Sequence, residues 1–405
     1  MLLGVHMTLL IGPTLAVPAP ITLTEQLASV EVTQTDAGRS GFQLTFHAGR
    51  SGPWDLADQR LLLNPLLRPF NRVVVVVLFG LTPTVLIDGF ITRTDLVPSE
   101  TPGGSTLVVT GEDVSVMMSL NELAFQWPMP EVAQVQAILA KYPLLGFAPG
   151  QIVPPLVPDP TLPTRELPTQ NGSDYAYLQE LAAAHGYVFY VRPGPVPNTN
   201  IPYWGPPVPL DAVALAATQP ALSVNMGPQT NVASVSFSYN ALAPEMVIGA
   251  TVEPNTGVPI PVIMPALATD VPLALVPAAV NQAGTTRISQ FGPPLAIEHR
   301  PALEEERGTA REAAGLSVAQ AYERARARVN DAARNAVVAS GELDGLRYGA
   351  ALNARSVVGL RGAGFTNDGL YFVSSVTHSI AKGSYAQRFS LKREGVGPIV
   401  PVVRP

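Results

Sequence analysis

The chain has 405 residues, 47% hydrophobic and 14% charged, with 25 Lys and Arg against 31 Asp and Glu for a formal net charge of −6. A typical soluble domain is roughly 25% charged, so intrinsic disorder of the whole chain is excluded, and the composition suits a subunit whose uncharged surface is covered in an assembly. There is no cysteine, which excludes a disulfide frame, a thiolate nucleophile and a Cys-type zinc site; nor is there the concentrated basic face that nucleic acid requires.

Residues 1–20 are apolar and imitate a signal peptide, but they hold no Lys or Arg and are broken by Pro13, Pro18 and Pro20. A docking segment is the better reading. No other run reaches the roughly 18 apolar residues of a membrane helix, so no membrane span is expected. Residues 21–111 read as five or six antiparallel strands, the body of a first domain over 21–125. Phe42, Leu44 and Phe46 alternate with polar residues. Residues 73–79 are a continuous apolar, mostly β-branched run, hence a strand buried on both faces. Strands follow at 85–96 and 106–110, with turns at 38–41, 49–53 and 101–104.

The period then changes. Val132, Val135, Leu139 and Tyr142 lie at helical spacing, stopped by Pro143. Pro149, Pro154, Pro155, Pro158, Pro160, Pro163 and Pro168 mark a linker that cannot pair as a central strand and runs extended over a surface or a neighbouring subunit. A second helix has Ser173 as N-cap, Asp174 at its positive end, a stripe of Tyr177, Leu178, Leu181 and Ala184, and Gly186 as its stop. A strand at 187–191, a proline-rich loop at 193–209 and strands at 221–226 and 231–239 complete a subdomain over 126–250. In the last strand Val235, Phe237 and Tyr239 alternate with serines.

Residues 251–315 are an irregular insertion, proline-punctuated and without a clear period. Ser317-Val-Ala-Gln320 is a capping box. It opens a helix with Val318, Tyr322, Ala325, Val329, Ala332 and Ala336 on one narrow stripe. Arg324 and Arg328 lie on another face, to pair with a neighbour or to meet solvent. Residues 336–394 return to strands, with 370–378 and 385–391 flanking a hairpin at Ala381-Lys-Gly383. A second β domain thus takes 316–395, discontinuous with 126–250, and 396–405 is a tail. The class is mainly β with α: two antiparallel β-barrel domains with helical insertions.

Chemistry is sparse. His6, His47, His185, His299 and His378 are not spaced as metal ligands, and each reads as a satisfied or surface histidine. Glu342 and Asp344 fall on one side of a strand and are the sole local acid/base candidate; the flanking Gly341 and Gly345 favour a turn in which Asp344 bonds local backbone. The glycines 359, 362 and 364 imitate a nucleotide loop, but a strand follows instead of a helix. Glu304, Glu305 and Glu306 read as a solvated charge run. No catalytic, cofactor or metal-binding residue is assigned, and no cofactor is expected.

Six segments stand out in order: Thr110-Gly-Glu-Asp113-Val-Ser-Val-Met117-Met118; the helix, glycine and strand from Asn171 to Tyr190; Leu222 to Gly249; Gly341 to Tyr348; Gly369 to Ile380; and Tyr385 to Leu391. Taken together they resemble the phage late control protein D family of baseplate hubs, which includes the hub part of VgrG proteins. The resemblance implies two tube-like barrels per chain and a homotrimer presenting a pseudo-sixfold ring. The implied partners are a hexameric inner tube protein or tube-initiator on one face, a spike protein trimer on the other, and baseplate wedge components. It further implies assembly in the bacterial cytoplasm into an injection particle or virion baseplate, and no enzyme activity. The strands at 42–46, 235–239 and 385–391 are the expected ring walls. Two rivals remain. A baseplate-associated cell-wall hydrolase would use Glu342 and Asp344. A secreted carbohydrate-binding β protein would expose Trp204 as a platform.

Overall fold

A computed structural model describes residues 5–36, 38–48, 61–80, 82–100, 104–155, 168–209, 219–252, 258–266, 271–278, 286–291 and 317–399. His299, the acidic run at 304–306, the turn at 49–53 and the linker prolines 158, 160 and 163 lie outside these residues. In chain order the first strands are β1 (Val5–Gly12), β2 (Val17–Pro18), β3 (Leu27–Thr35), β4 (Gly41–His47), β5 (Arg72–Phe79), β6 (Thr82–Val97) and β7 (Thr106–Asp113). A mixed module follows: β8 (Glu122–Gln126), β9 (Gln151–Ile152), β10 (Thr169–Ser173), β11 (Val188–Pro193) and β12 (Asn200–Gly205). Next come β13 (Leu222–Ser223), β14 (Val232–Tyr239), β15 (Glu245–Val252), β16 (Pro259–Met264), β17 (Ala274–Pro277) and β18 (Arg287–Phe291). The chain then adds β19 (Val337–Asp344), β20 (Val357–Arg361), β21 (Gly369–Ala381), β22 (Ser384–Arg393) and β23 (Gly395–Pro398). The helices are α1 (Ile21–Glu25), α2 (Glu131–Ala140), α3 (Asp174–Ala184), α4 (Val318–Arg334) and α5 (Gly345–Tyr348). Among the described residues, no helix is long and apolar enough to cross a membrane.

The molecule is mainly β with helices, as the periodicities indicate. Thirteen strands form one sheet, in the order β14-β19-β22-β21-β3-β4-β7-β6-β5-β1-β2, with β20 on β21 and β13 on β20. In hydrogen bonding, the two β domains are therefore successive stretches of one sheet, joined where β21 pairs with β3. Among the described strands the path is open, ending on β14 and β2. β5 is buried on both faces as its composition requires: Val73, Val75 and Val77 enter one core, while Val74 and Val76 enter another with Leu10 and Val85.

The strand order repeats. β3-β4-β7-β6 and β14-β19-β22-β21 each place their four strands, counted along the chain, in the spatial order first, second, fourth, third. All these pairings are antiparallel.

Strands also form inside 251–291, where no period is legible. β16 is an edge strand, pairing only with β15 among the described strands, so Pro259 and Pro261 are tolerated there while masking the alternation. α4 has both capping-box hydrogen bonds between Ser317 and Gln320. Its buried stripe is Ala321, Ala325, Val329 and Ala333, rather than one through Tyr322. The alanines let it lie close on β15, β16 and β18, while Tyr322 reaches outward and donates its hydroxyl to the Pro261 carbonyl at 2.6 Å.

Candidate assembly surface

The repeat extends to irregularities. The β3–β4 register shifts between Leu27 and Ser29, and the β14–β19 register between Val232 and Ser234. The β6–β7 register shifts between Ile91 and Arg93, and the β21–β22 register between Val373 and Ser375. Each unit thus carries the same two bulges: Ala28 corresponds to Ala233, and Thr92 to Ser374. A bulge fixes local twist and register, so two bulges at matching places define one structural unit used twice.

Within the chain, the two units meet along β21 and β3, from Ser375 opposite Thr35 to Ala381 opposite Ser29. The Asp36 N–H donates to the Ser374 carbonyl at 2.7 Å. The Thr33 and Thr377 hydroxyls lie 3.2 Å apart, as side chains do in a non-hydrogen-bonded antiparallel pair. Tyr385 crosses this seam into the core of the first unit. Two edges of the repeated units stay open among the described strands. One is the outer edge of β14, which pairs only with β19. The other is the second half of β6. Residues 82–90 of β6 pair with β5, Ile91 exchanges backbone hydrogen bonds with Phe70 and Asn71 just before it, and 89–97 pair with β7 on the opposite side, which leaves 92–97 without a described strand on the β5 side.

Buried charges tie the mixed module to this sheet. Arg72 and Asp88, both fully buried, make a paired contact at 2.7 and 2.8 Å. Asn200 donates to Asp88 at 3.1 Å and to the Leu145 carbonyl at 2.9 Å. His185, at the end of α3, sits between Glu131 of α2 at 2.5 Å and Glu323 of α4. Burial alone would lower its pKa, but hydrogen bonds to the two carboxylates prevail and lift it to about 9. Gly186 adopts φ +63, and a Cβ there would strike Ala327 of α4, so the glycine that stops α3 also permits this close approach. Glu245 takes Arg328 at 3.0 Å, Arg287 at 2.6 Å and Ser289 at 2.5 Å. Arg328 is thus paired within its own chain.

The sequence candidates for catalysis do not converge. Glu342 pairs across the strands with Arg388 at 3.2 Å. Asp344 caps α5 by accepting the Leu346 N–H at 2.9 Å, the local bond its glycines suggest. Both side chains are about two-fifths exposed. The glycine-rich loop joins β20 to β21, with no helix after it. Trp204 is fully buried, packed against His185 and Tyr187, which removes it as a carbohydrate platform. His378 is buried on β21, bonded to the Tyr385 hydroxyl at 2.8 Å, and burial pushes its pKa down to about 3. His6 and His47 are exposed strand residues. A cleft of about 450 Å³ lies where β6, β11 and the loop before β20 meet. Within it Arg355 stacks on Tyr190 at 4.0 Å and donates to the Gly38 carbonyl at 2.8 Å. Asp113 beneath is raised in pKa by burial and is committed to Ser40 and Ser115.

No family model and no curated protein sequence matches the chain. Solved structures do match over nearly its whole length. The tail protein from Neisseria meningitidis MC58 superposes with a TM-score of 0.60 at 10% identity, over 97% of this chain and 98% of that one. The 43 kDa tail protein of prophage MuSo2 from Shewanella oneidensis gives 0.56 at 13% identity, over 96% and 98%. A chain of the half-lidded Francisella PdpA–VgrG complex gives 0.55 at 9% identity, over 99% of this chain and 60% of that one. In fold, then, the chain is similar to phage tail proteins.

Proposed function

We propose that this chain is the structural baseplate hub of a phage tail or contractile injection particle, and that three copies close into a ring of six alike β units. The observation that carries this reading is the duplicated four-strand unit with matching bulges, joined in one sheet and ending on open edges. Such a ring presents near-sixfold symmetry to an inner tube and threefold symmetry to a spike, so one protein reconciles both. β4, β14 and β22, which contain the three expected wall strands, all lie inside the repeated units. The role is mechanical, and it uses no catalytic residue and no cofactor. Continuous strand pairing suits the load of firing, because main-chain hydrogen bonds link the units directly. The fold shared with tail proteins of Neisseria and Shewanella supports this role.

The native mass of the purified chain tests it. Light scattering is expected to give three times the 42.7 kDa of one chain, and a spike trimer added in equal amount should co-elute with it. A monomer at every concentration, or a stable ring of another order, would overturn the reading.

A further inference from the structure

The two open edges are internal counterparts of the two edges already paired inside the chain. Aligned on the shared bulges, Ser375, Thr377 and Ser379 of β21 correspond to Arg93, Asp95 and Val97 of β6. Likewise Glu31, Thr33 and Thr35 of β3 correspond to Ser236, Ser238 and Asn240 at β14. The paired halves also agree: β20 takes the first half of β21 as β5 takes the first half of β6. In β21 the second half is covered by β3. In β6 no described strand covers it, and the counterpart of β3 is β14, whose outer edge likewise pairs with no described strand.

We propose that copies of this chain join head to tail through an antiparallel β-pair between residues 93–97 of one copy and 236–240 of the next. The register is Arg93–Asn240, Thr94–Tyr239, Asp95–Ser238, Leu96–Phe237 and Val97–Ser236. It is the β21–β3 register carried over residue by residue. The proposal rests on the ring reading and adds to it the strands, their direction and their alignment.

Side-chain chemistry agrees face by face. Leu96 already packs partly against the first core, and Phe237 partly against the core of the second unit. Bringing them opposite one another joins those cores, as Tyr385 does at the internal seam. On the other face, Asp95 meets Ser238 where the internal seam sets Thr377 against Thr33; a serine hydroxyl can donate to that carboxylate. A slip of one residue would set Leu96 against a serine and reverse every face. The hydrogen-bond parity also fits. The Asn240 N–H donates to the Ala336 carbonyl beside β19, so N–H groups at even positions of β14 point inward and those at odd positions point out. Phe237 then presents its backbone to the neighbour, as Val32 does to β21. An interface in which two different surfaces meet head to tail generates a ring when its rotation closes.

The absence of cysteine makes the register directly readable. Asp95→Cys with Ser238→Cys places two thiols at a non-hydrogen-bonded pair, where a disulfide spans the strands. Oxidation of the full-length double variant should give a ladder ending at a covalent trimer on a non-reducing denaturing gel, collapsed by reductant. Val97→Cys with Ser236→Cys should do the same and stands in if the first variant does not fold. Thr33→Cys with Thr377→Cys should lose its free thiols without gaining size. Asp95→Cys with Phe237→Cys, on opposite faces, should stay monomeric on the gel, as should each single variant. A native trimer that neither in-register pair cross-links would overturn the register and leave the ring standing. Cross-linking by the opposite-face pair alone would do the same. A chain that is monomeric in solution and never cross-links would overturn both.

Discussion

His185 shows how a residue acquires a role that its own neighbourhood does not announce. Its two carboxylates come from positions 54 and 138 residues away in sequence, and together they pin α2 and α4 to the end of α3. The Ser173 cap and the Gly186 stop were legible because they act within one helical turn; this clamp was not, because no local period encodes it. Its titration has a definite sign. The folded-state pKa of about 9 lies above the ordinary 6.5, so the stabilisation is complete below about pH 6.5 and is lost as pH rises through 9. Glu323→Gln leaves a buried charge less well paired and is expected to cost about 3 kcal/mol at pH 6. That cost should shrink toward pH 10, where the imidazole is neutral in both proteins. Denaturant unfolding of both proteins at the two pH values checks it, and a cost independent of pH would place the effect in packing instead.

The repeated unit is clear in strand order, yet it is hidden in the sequence. Val30 and Val235 keep the apolar parity, but in the next two strands volume has moved across the sheet. Leu44 faces Val109 in the first unit, whereas Gly341 faces Phe389 in the second. A Cβ on Gly341 would strike the Phe389 ring and the Ser234 carbonyl, so the phenylalanine occupies what the leucine fills elsewhere. Such exchange conserves core volume while erasing identity. The alternations that mark individual strands survive it, which is why the strands could be read from their own residues, whereas their relationship was implied by the family resemblance alone. The pairing of β21 with β3 was equally hidden, since more than 330 residues separate the partners. Element position now decides what a proline does. Val32→Pro removes an N–H from the middle of the sheet and strands a carbonyl on β21, about 1–3 kcal/mol before packing is counted. Phe237→Pro, at the counterpart position, removes an N–H that points out from an edge. The first is expected to lower the melting temperature sharply. The second should leave the strand signal in circular dichroism close to the parent while native mass drops to one chain.

At the scale of the whole molecule, low charge and an open sheet are two aspects of one design. Exposed apolar side chains such as Leu15, Ile21, Leu144, Leu242 and Phe365 are tolerable in a subunit that is covered in an assembly, and long open strand edges are hazards unless a defined partner takes them. Each chain has its own cores, in the first β unit, the mixed module and the second β unit. It is therefore expected to fold on its own, and closure of the proposed ring would add stability by mass action. The melting temperature of the parent should consequently rise across a tenfold increase in protein concentration, while that of Phe237→Pro should not. Calorimetric scans at the two concentrations distinguish the cases. A parent whose transition ignores concentration would mean that the open edges contribute nothing to its native state, and the ring would lose its thermodynamic basis.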